Sequence, residues 1–244
     1  APENKRGWYA MVGQLGAPST GLEVLAVQPL WSRALPPGQP AASGHMGFAD
    51  GISQPRLDAD SAGYWSDSVP TGELFIGYGN GRGDGPAPAS PLLDDGSFVV
   101  LRSYSQQLGR IDRVLDRAVA ALAPAASSAQ AAALRETIRA KMMGRRSDGS
   151  PLVGGSGNDF NYRQDPQGAG CPFASHVRRS NPRDADPHPL LGRPRIARRG
   201  MSWGPQATPA APPDDPRGLL FVAFCASIAE QFEIIQGWIA GGNS

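Results

Sequence analysis

The stretch Gly47-Phe48-Ala49-Asp50-Gly51-Ile52-Ser53-Gln54-Pro55 obliges the fold to interrupt regular structure and turn. Its one carboxylate stands between two glycines and ahead of a proline, so the backbone bends sharply and approaches a ligand without interference from a Cβ. An aspartate there is placed for chemistry, or it caps the turn as Asp before Gly often does.

Glycine and proline shape the rest. The 31 glycines and 24 prolines together exceed a fifth of the 244 residues, yet they are not periodic and alternate with apolar runs. That pattern predicts long ordered loops around a compact core. The chain is long enough to bury a sizeable core as one domain or two. Formal charge is +1, and no window approaches the ~20 apolar residues that cross a bilayer, so a soluble globular protein, secreted or cytoplasmic, is expected and the compartment is left open. Cys171 and Cys225 are too few for a disulfide framework and too widely spaced for a zinc motif; they read as buried thiols or as one disulfide.

Along the chain, Trp8–Val12 and Leu22–Val27 read as strands, residues 58–70 as loop, and Glu73–Tyr78 as a strand. The glycine run from Gly77 to Gly85 leads into Pro86 and Pro88 rather than a helix, which argues against a dinucleotide loop. Phe98–Tyr104 should be a central strand. Leu108, Ile111, Leu115, Ala118 and Leu122 mark a helix stopped by Pro124, and Ala131, Leu134, Ile138 and Met142 mark another stopped by Gly144. Residues 144–170 form a long loop. Leu219–Phe224 is a buried strand, and Ser227-Ile228-Ala229-Glu230 is a capping box opening a helix with Ile228, Phe232, Ile235 and Ile239 on one side. The mixed order predicts an α+β fold.

Two later segments carry the chemistry: Cys171-Pro172-Phe173-Ala174-Ser175-His176-Val177-Arg178-Arg179 and Ile196-Ala197-Arg198-Arg199-Gly200. With the Asp50 turn, and with Gly72–Tyr78, Gly96–Arg102, Ala140–Arg146, Asn181-Pro182-Arg183 and Gly218–Phe224 in the same order, they resemble the dye-decolourising peroxidases, a family of haem enzymes with a Gly-x-x-Asp-Gly motif. The resemblance covers roughly residues 40 to 240. It implies two ferredoxin-like halves, each an antiparallel sheet with helices, and haem b in the second. Only about forty residues precede the motif and the chain stops at the final helix, so residues 1–40 are expected to be a remnant of the first half plus a linker, and 41–244 the haem-binding peroxidase domain. The implied partners are hydrogen peroxide, organic electron donors, and either a second chain supplying the missing half or a homo-oligomer; nucleic acid and membrane are not expected.

The resemblance also implies roles. Among His45, His176 and His188, His176 is the axial ligand of haem iron. Asp50 moves the proton of hydrogen peroxide to the leaving oxygen. Arg198, rather than Arg199, faces that oxygen with a fixed positive charge. Arg183 and Arg178 pair with haem propionates or belong to a solvated basic loop. Leu219 and Phe221, on one side of a strand, line the pocket, form sheet core, or do both. Ile52 touches haem. Dye-sized donors need surface relays, for which Tyr64, Trp65, Trp203 and Trp238 are available.

Three functions compete. The first is a haem peroxidase oxidising dyes or phenolics; the second is a haem-binding or haem-handling protein with little turnover. The third reads seven arginines between Arg178 and Arg199 as a nucleic-acid footprint. Asp184 and Asp186 interrupt that run and no aromatics interleave it, so it falls behind, and a zinc hydrolase lacks ligand spacing altogether.

Overall fold

The computed structural model describes residues 17–30, 44–57, 67–81, 83, 91–155, 157–158, 160–183, 194–205 and 215–240. It separates into Ala1–Leu30 and Trp31–Ser244. In the first unit, the 3₁₀ turn Pro18–Thr20 ends at Gly21 in the left-handed region. The strand expected over Leu22–Val27 is absent: residues 22–30 carry no regular structure, and Leu25 is 85% exposed. An extended run becomes a strand only by exchanging backbone hydrogen bonds, and no described residue supplies them. The run Trp8–Val12 lies outside the described residues.

The second unit is α+β. Its chain order is β1 (Arg56–Leu57), β2 (Ser68–Val69), β3 (Phe98–Ser105), α1 (Leu108–Leu122), α2 (Ser128–Met143), α3 (His176–Ser180), β4 (Ala197–Arg198), β5 (Met201–Trp203), β6 (Gly218–Cys225), a π-helical turn (Ile228–Glu233) and α4 (Ile234–Ala240). β6 is the centre of an antiparallel sheet. β3 pairs along its whole length on one side, with Phe98 opposite Cys225 and Ser105 opposite Gly218. β4 and β5 share the other side in one register, Arg198 opposite Ala223 and Met201 opposite Leu220. Phe98–Tyr104 is therefore a strand as expected but lies at the edge, because β4 and β5 return to β6 instead of to β3.

Two further expectations are corrected. Glu73–Tyr78 is not a strand: Thr71–Glu73 is a 3₁₀ turn, and the Gly72 N–H closes a loop onto the Gly79 carbonyl at 2.9 Å. The buried Glu73 carboxylate accepts from the Gly81 N–H and from Gln231 Nε2, both at 3.0 Å, and the segment folds around it. Within the stretch assigned to loop, Ser68–Val69 pairs in parallel with Arg56–Leu57.

The helices follow their apolar spacing. Leu115 is the buried centre of α1. α2 opens with a reciprocal capping box between Ser127 and Gln130 and stops at Gly144, whose φ of 91° suits glycine. Arg135 ties α2 to Asp112 and Asp116 of α1. At the last helix Ser227 Oγ caps the Glu230 N–H, but Gln231, not Glu230, reaches back to the Ser227 N–H at 2.8 Å; the wide π turn brings it there. Phe232 and Ile235 then pack under the sheet with Ile196, Ala223 and Cys225. Ile228 and Ile239 remain exposed. Cys171 and Cys225 are both free and buried, which removes the disulfide alternative.

Candidate active site

The Asp50 turn is held by left-handed backbone at Gly47 (φ 74°), Gly51 (φ 77°) and Ser53 (φ 61°). The Ala49 N–H donates to the Ser147 carbonyl at 2.9 Å, fastening the turn to the loop after α2. Asp50 is exposed, and its Oδ1 accepts the Gly51 N–H at 2.7 Å. Ile52 packs into the space a side chain at Gly149 would fill: a Cβ there would sit 2.2 Å from Ile52 Cδ1.

Arg198 lies against the back of this turn. Its Nη2 donates to the Ile52 carbonyl at 2.9 Å and reaches the Ser53 carbonyl at 3.4 Å, while its backbone N–H is held by Gln54 Oε1 at 3.0 Å. Residues directly opposite on neighbouring antiparallel strands share a face. Arg198 stands opposite Ala223, so it shares its sheet face with Ala223, Phe221 and Leu219. Gly200 stands at the register position of Phe221, and a Cβ there would come within 2.7 Å of the Leu220 carbonyl; the glycine of the Arg-Arg-Gly run is what lets the backbones approach. Arg199 is exposed.

His176 begins α3. Its side chain is exposed, yet desolvation by the protein around it lowers its pKa, and the Arg198 charge lowers it further. Neutral imidazole is thus favoured. Among the described residues it makes no hydrogen bond. Burial lowers the Arg198 pKa, whereas Asp50 and then Asp67 raise it. Arg198 therefore lies within electrostatic reach of both Asp50 and His176, uniting three segments far apart in the chain.

The other expected residues are placed less openly. Arg178 is 3% exposed, with Nη1 on Asp165 Oδ2 at 3.1 Å and on the Cys171 carbonyl at 2.7 Å, and its guanidinium stacks on Tyr162 and Phe173. Arg183 is 1% exposed and donates to the carbonyls of Asn158 and Phe160 and to Ser53 Oγ. Neither belongs to a solvated basic loop, and Arg195 is buried as well, so much of the arginine run faces inward. Phe221 packs 5.9 Å from the Phe232 ring, at the rim of the sheet core. His45 is buried with Nε2 2.8 Å from the Trp203 carbonyl. His188, Tyr64, Trp65 and the Trp238 side chain lie outside the described residues; Trp203 is half-buried.

One layer escaped the sequence reading. Asp67 accepts from Ser53 Oγ at 3.2 Å and from Asn158, and faces Arg195 at 3.4 Å; Arg145 Nη2 meets Asn158 Oδ1 at 2.5 Å. These groups brace the turn from behind. Their sequence neighbourhoods are irregular, and no periodicity marks them.

The described elements form an antiparallel α+β fold in which Arg198 is fastened to the Asp50 turn. No family profile matches the chain. The multifunctional dye peroxidase DyP2 of Amycolatopsis is 31% identical over 220 residues, which is 79% of this chain and 45% of that protein. Its solved structure matches with a TM-score of 0.66 at 28% identity, covering 95% of this chain and 52% of that one. A dye-decolourising peroxidase solved with cyanide matches with a TM-score of 0.72 at 26% identity, over 98% of this chain and 57% of that one. Another, solved with 2,6-dimethoxyphenol, gives 0.64 at 27% identity, over 87% and 51%. The chain belongs to the dye-decolourising peroxidase family, and it spans about half the length of the relatives it matches.

Proposed function

We propose that this chain holds haem b through His176 and uses hydrogen peroxide to oxidise dyes or phenolic donors. The observation that carries the reading is that Arg198 is fastened to the Asp50 turn through the Ile52 and Ser53 carbonyls, with its charge felt by His176 as well. The residues fit the group. His176 offers a neutral imidazole with an open approach and no hydrogen bond among the described residues, the donor chemistry of a single axial ligand.

Bound there, haem would supply an iron centre able to accept two oxidising equivalents from peroxide. The protein's part is proton handling and charge. Asp50 keeps Oδ2 clear of the Gly51 N–H, so that oxygen takes the proton from hydrogen peroxide and returns it to the departing oxygen. Arg198, pinned by the Ile52 and Ser53 carbonyls, keeps a positive charge beside the carboxylate and stabilises negative charge as the O–O bond breaks. Leu219 and Phe221 carry the apolar face on which Arg198 stands, and they keep water from it. Arg183 anchors the Ser53 end of the turn.

The test is haemin titration followed by peroxide-dependent dye bleaching. His176→Ala should lose the Soret band. Asp50→Asn should keep it and lose bleaching by about 10²–10⁴-fold. A wild-type chain that binds no haemin overturns the reading. A strong Soret band with no bleaching in the wild type would select a second reading, haem holding without turnover.

A further inference from the structure

Among the described residues, Ser53 and Asp95 are the non-glycine residues with positive φ, 61° and 63°. Aspartate tolerates the left-handed region because its short polar side chain bonds locally, and serine shares little of that tolerance. Glycine adopts the conformation without strain, as Gly51 does at 77°. What serine adds at this position is a hydroxyl.

That hydroxyl bonds in both senses. Oγ donates to Asp67 Oδ1 at 3.2 Å and accepts from Arg183 Nη2 at 3.2 Å. Both partners are themselves fixed: Arg183 is 1% exposed and also donates to the Asn158 and Phe160 carbonyls, while Asp67 accepts from Asn158 and faces Arg195. A strained backbone persists where its surroundings hold it from several directions, and the side chain of Ser53 is so held.

The twist at Ser53 serves Arg198. In extended backbone successive carbonyls point to opposite sides, so a single nitrogen cannot meet both. The Ile52 and Ser53 carbonyls instead converge on Arg198 Nη2, at 2.9 and 3.4 Å. The left-handed φ of Ser53 is the rotation that turns one of these carbonyls toward the other.

We infer that Ser53 is a positioning residue for Arg198: its hydroxyl, locked between Asp67 and Arg183, fixes the left-handed peptide whose two carbonyls aim the Arg198 guanidinium. The lock joins separate parts of the chain, since Arg183 follows α3 and Arg198 lies on β4. It operates with or without haem, so its failure leaves the proposed function untouched.

Arginine side-chain NMR on the full 244-residue chain, without haemin, tests it. The flip that exchanges Nη1 with Nη2 should be slow for Arg198 in the wild type, as for the buried Arg178, with Arg198→Lys assigning the signal. Ser53→Gly keeps the positive φ and removes the hydroxyl. It should speed the Arg198 flip about tenfold, the equivalent of one hydrogen bond to a charged group, and leave the Arg178 flip unchanged. Ser53→Asn, which tolerates positive φ and carries both a donor and an acceptor, should restore much of the slowing. A freely flipping Arg198 in the wild type overturns the inference without any variant. So does an unchanged Arg198 flip in Ser53→Gly, which would make the backbone twist sufficient by itself, or a joint loosening of Arg178 and Arg198, which would make the hydroxyl a general support of the fold.

Discussion

Beneath the sheet, Ile196, Ala223, Cys225, Phe232 and Ile235 pack together with Val100 and Phe221, and the Arg102 guanidinium stands 5.8 Å from the Phe232 ring. In the loop that delivers His176, Phe160, Tyr162 and Cys171 are instead held between guanidiniums: Arg145 and Arg183 stand 5.0 and 4.2 Å from the Phe160 ring, and Arg178 stands 4.3 Å from the Tyr162 ring. The reason lies in the backbone. β6 satisfies its carbonyls through ladders on both flanks, whereas residues 144–183 have almost none. Arginine supplies the missing donors: Arg145 to Gly149 and Gly157, Arg178 to Cys171 and Asp165, Arg183 to Asn158 and Phe160. A buried carbonyl needs a partner, and a planar guanidinium bonds it while stacking on a ring.

The two cores should therefore fail differently. Arg178→Ala strips Asp165 of its buried partner and should cost about 3–5 kcal/mol by urea denaturation. Phe232→Leu, a volume change within an apolar cluster, should cost under about 1.5 kcal/mol. Equal losses would mean that the loop does not lean on its ion pair. The double variant Arg178→Met with Asp165→Leu sharpens the point, since removing both charges should recover much of the loss.

Acid should separate the cores again. Hydrogen bonds from the Cys171 and Gly170 N–H groups, with the Arg178 charge, hold the Asp165 pKa below the usual carboxylate value. Its contribution is complete above that usual value and disappears as pH falls through the lower folded one. His176 acts at milder pH. Its folded pKa is lowered, so as pH drops below about 6.5 the unfolded chain takes up a proton first and stability declines until the folded pKa is passed. Urea midpoints between pH 8 and 3 should show both slopes. Burial lowers the His45 pKa too, so His176→Gln should reduce the upper slope without abolishing it and leave the lower one. A bound iron ligand would steepen the upper slope, because the metal competes for the same nitrogen.

The same contrast explains what the sequence disclosed. Periodicity drew α1 to Leu122 and α2 to Gly144, and the apolar run at Leu219–Phe224 gave β6, because in each case side-chain spacing and backbone bonding obey one period. It misplaced Leu22–Val27 and Glu73–Tyr78, where apolar composition suggested strands but no partner or a buried carboxylate decided otherwise. The Asp50, His176 and Arg198 segments stood out by resemblance. Asp67, Asn158 and Arg195 did not, since a brace assembled from irregular loops leaves no repeating mark in the chain.

The smallest expected effect asks whether the helix pair supports one core or both. Ser127 Oγ accepts the Gln130 N–H and Gln130 Oε1 the Ser127 N–H, at the end of α2 remote from Gly144. Ser127→Ala should cost about 1 kcal/mol, the usual value of such a cap. At its other end α2 passes through Gly144, where a Cβ would lie 2.9 Å from Ser175 Oγ and 3.1 Å from Val177 Cβ, directly beneath the start of α3. If the helix transmits strain as a rigid rod, loss of the cap shifts the urea midpoint and the upper acid slope together. If only the first turn frays, the midpoint moves and the His176 slope stays, and the loop core is then anchored by its arginines alone.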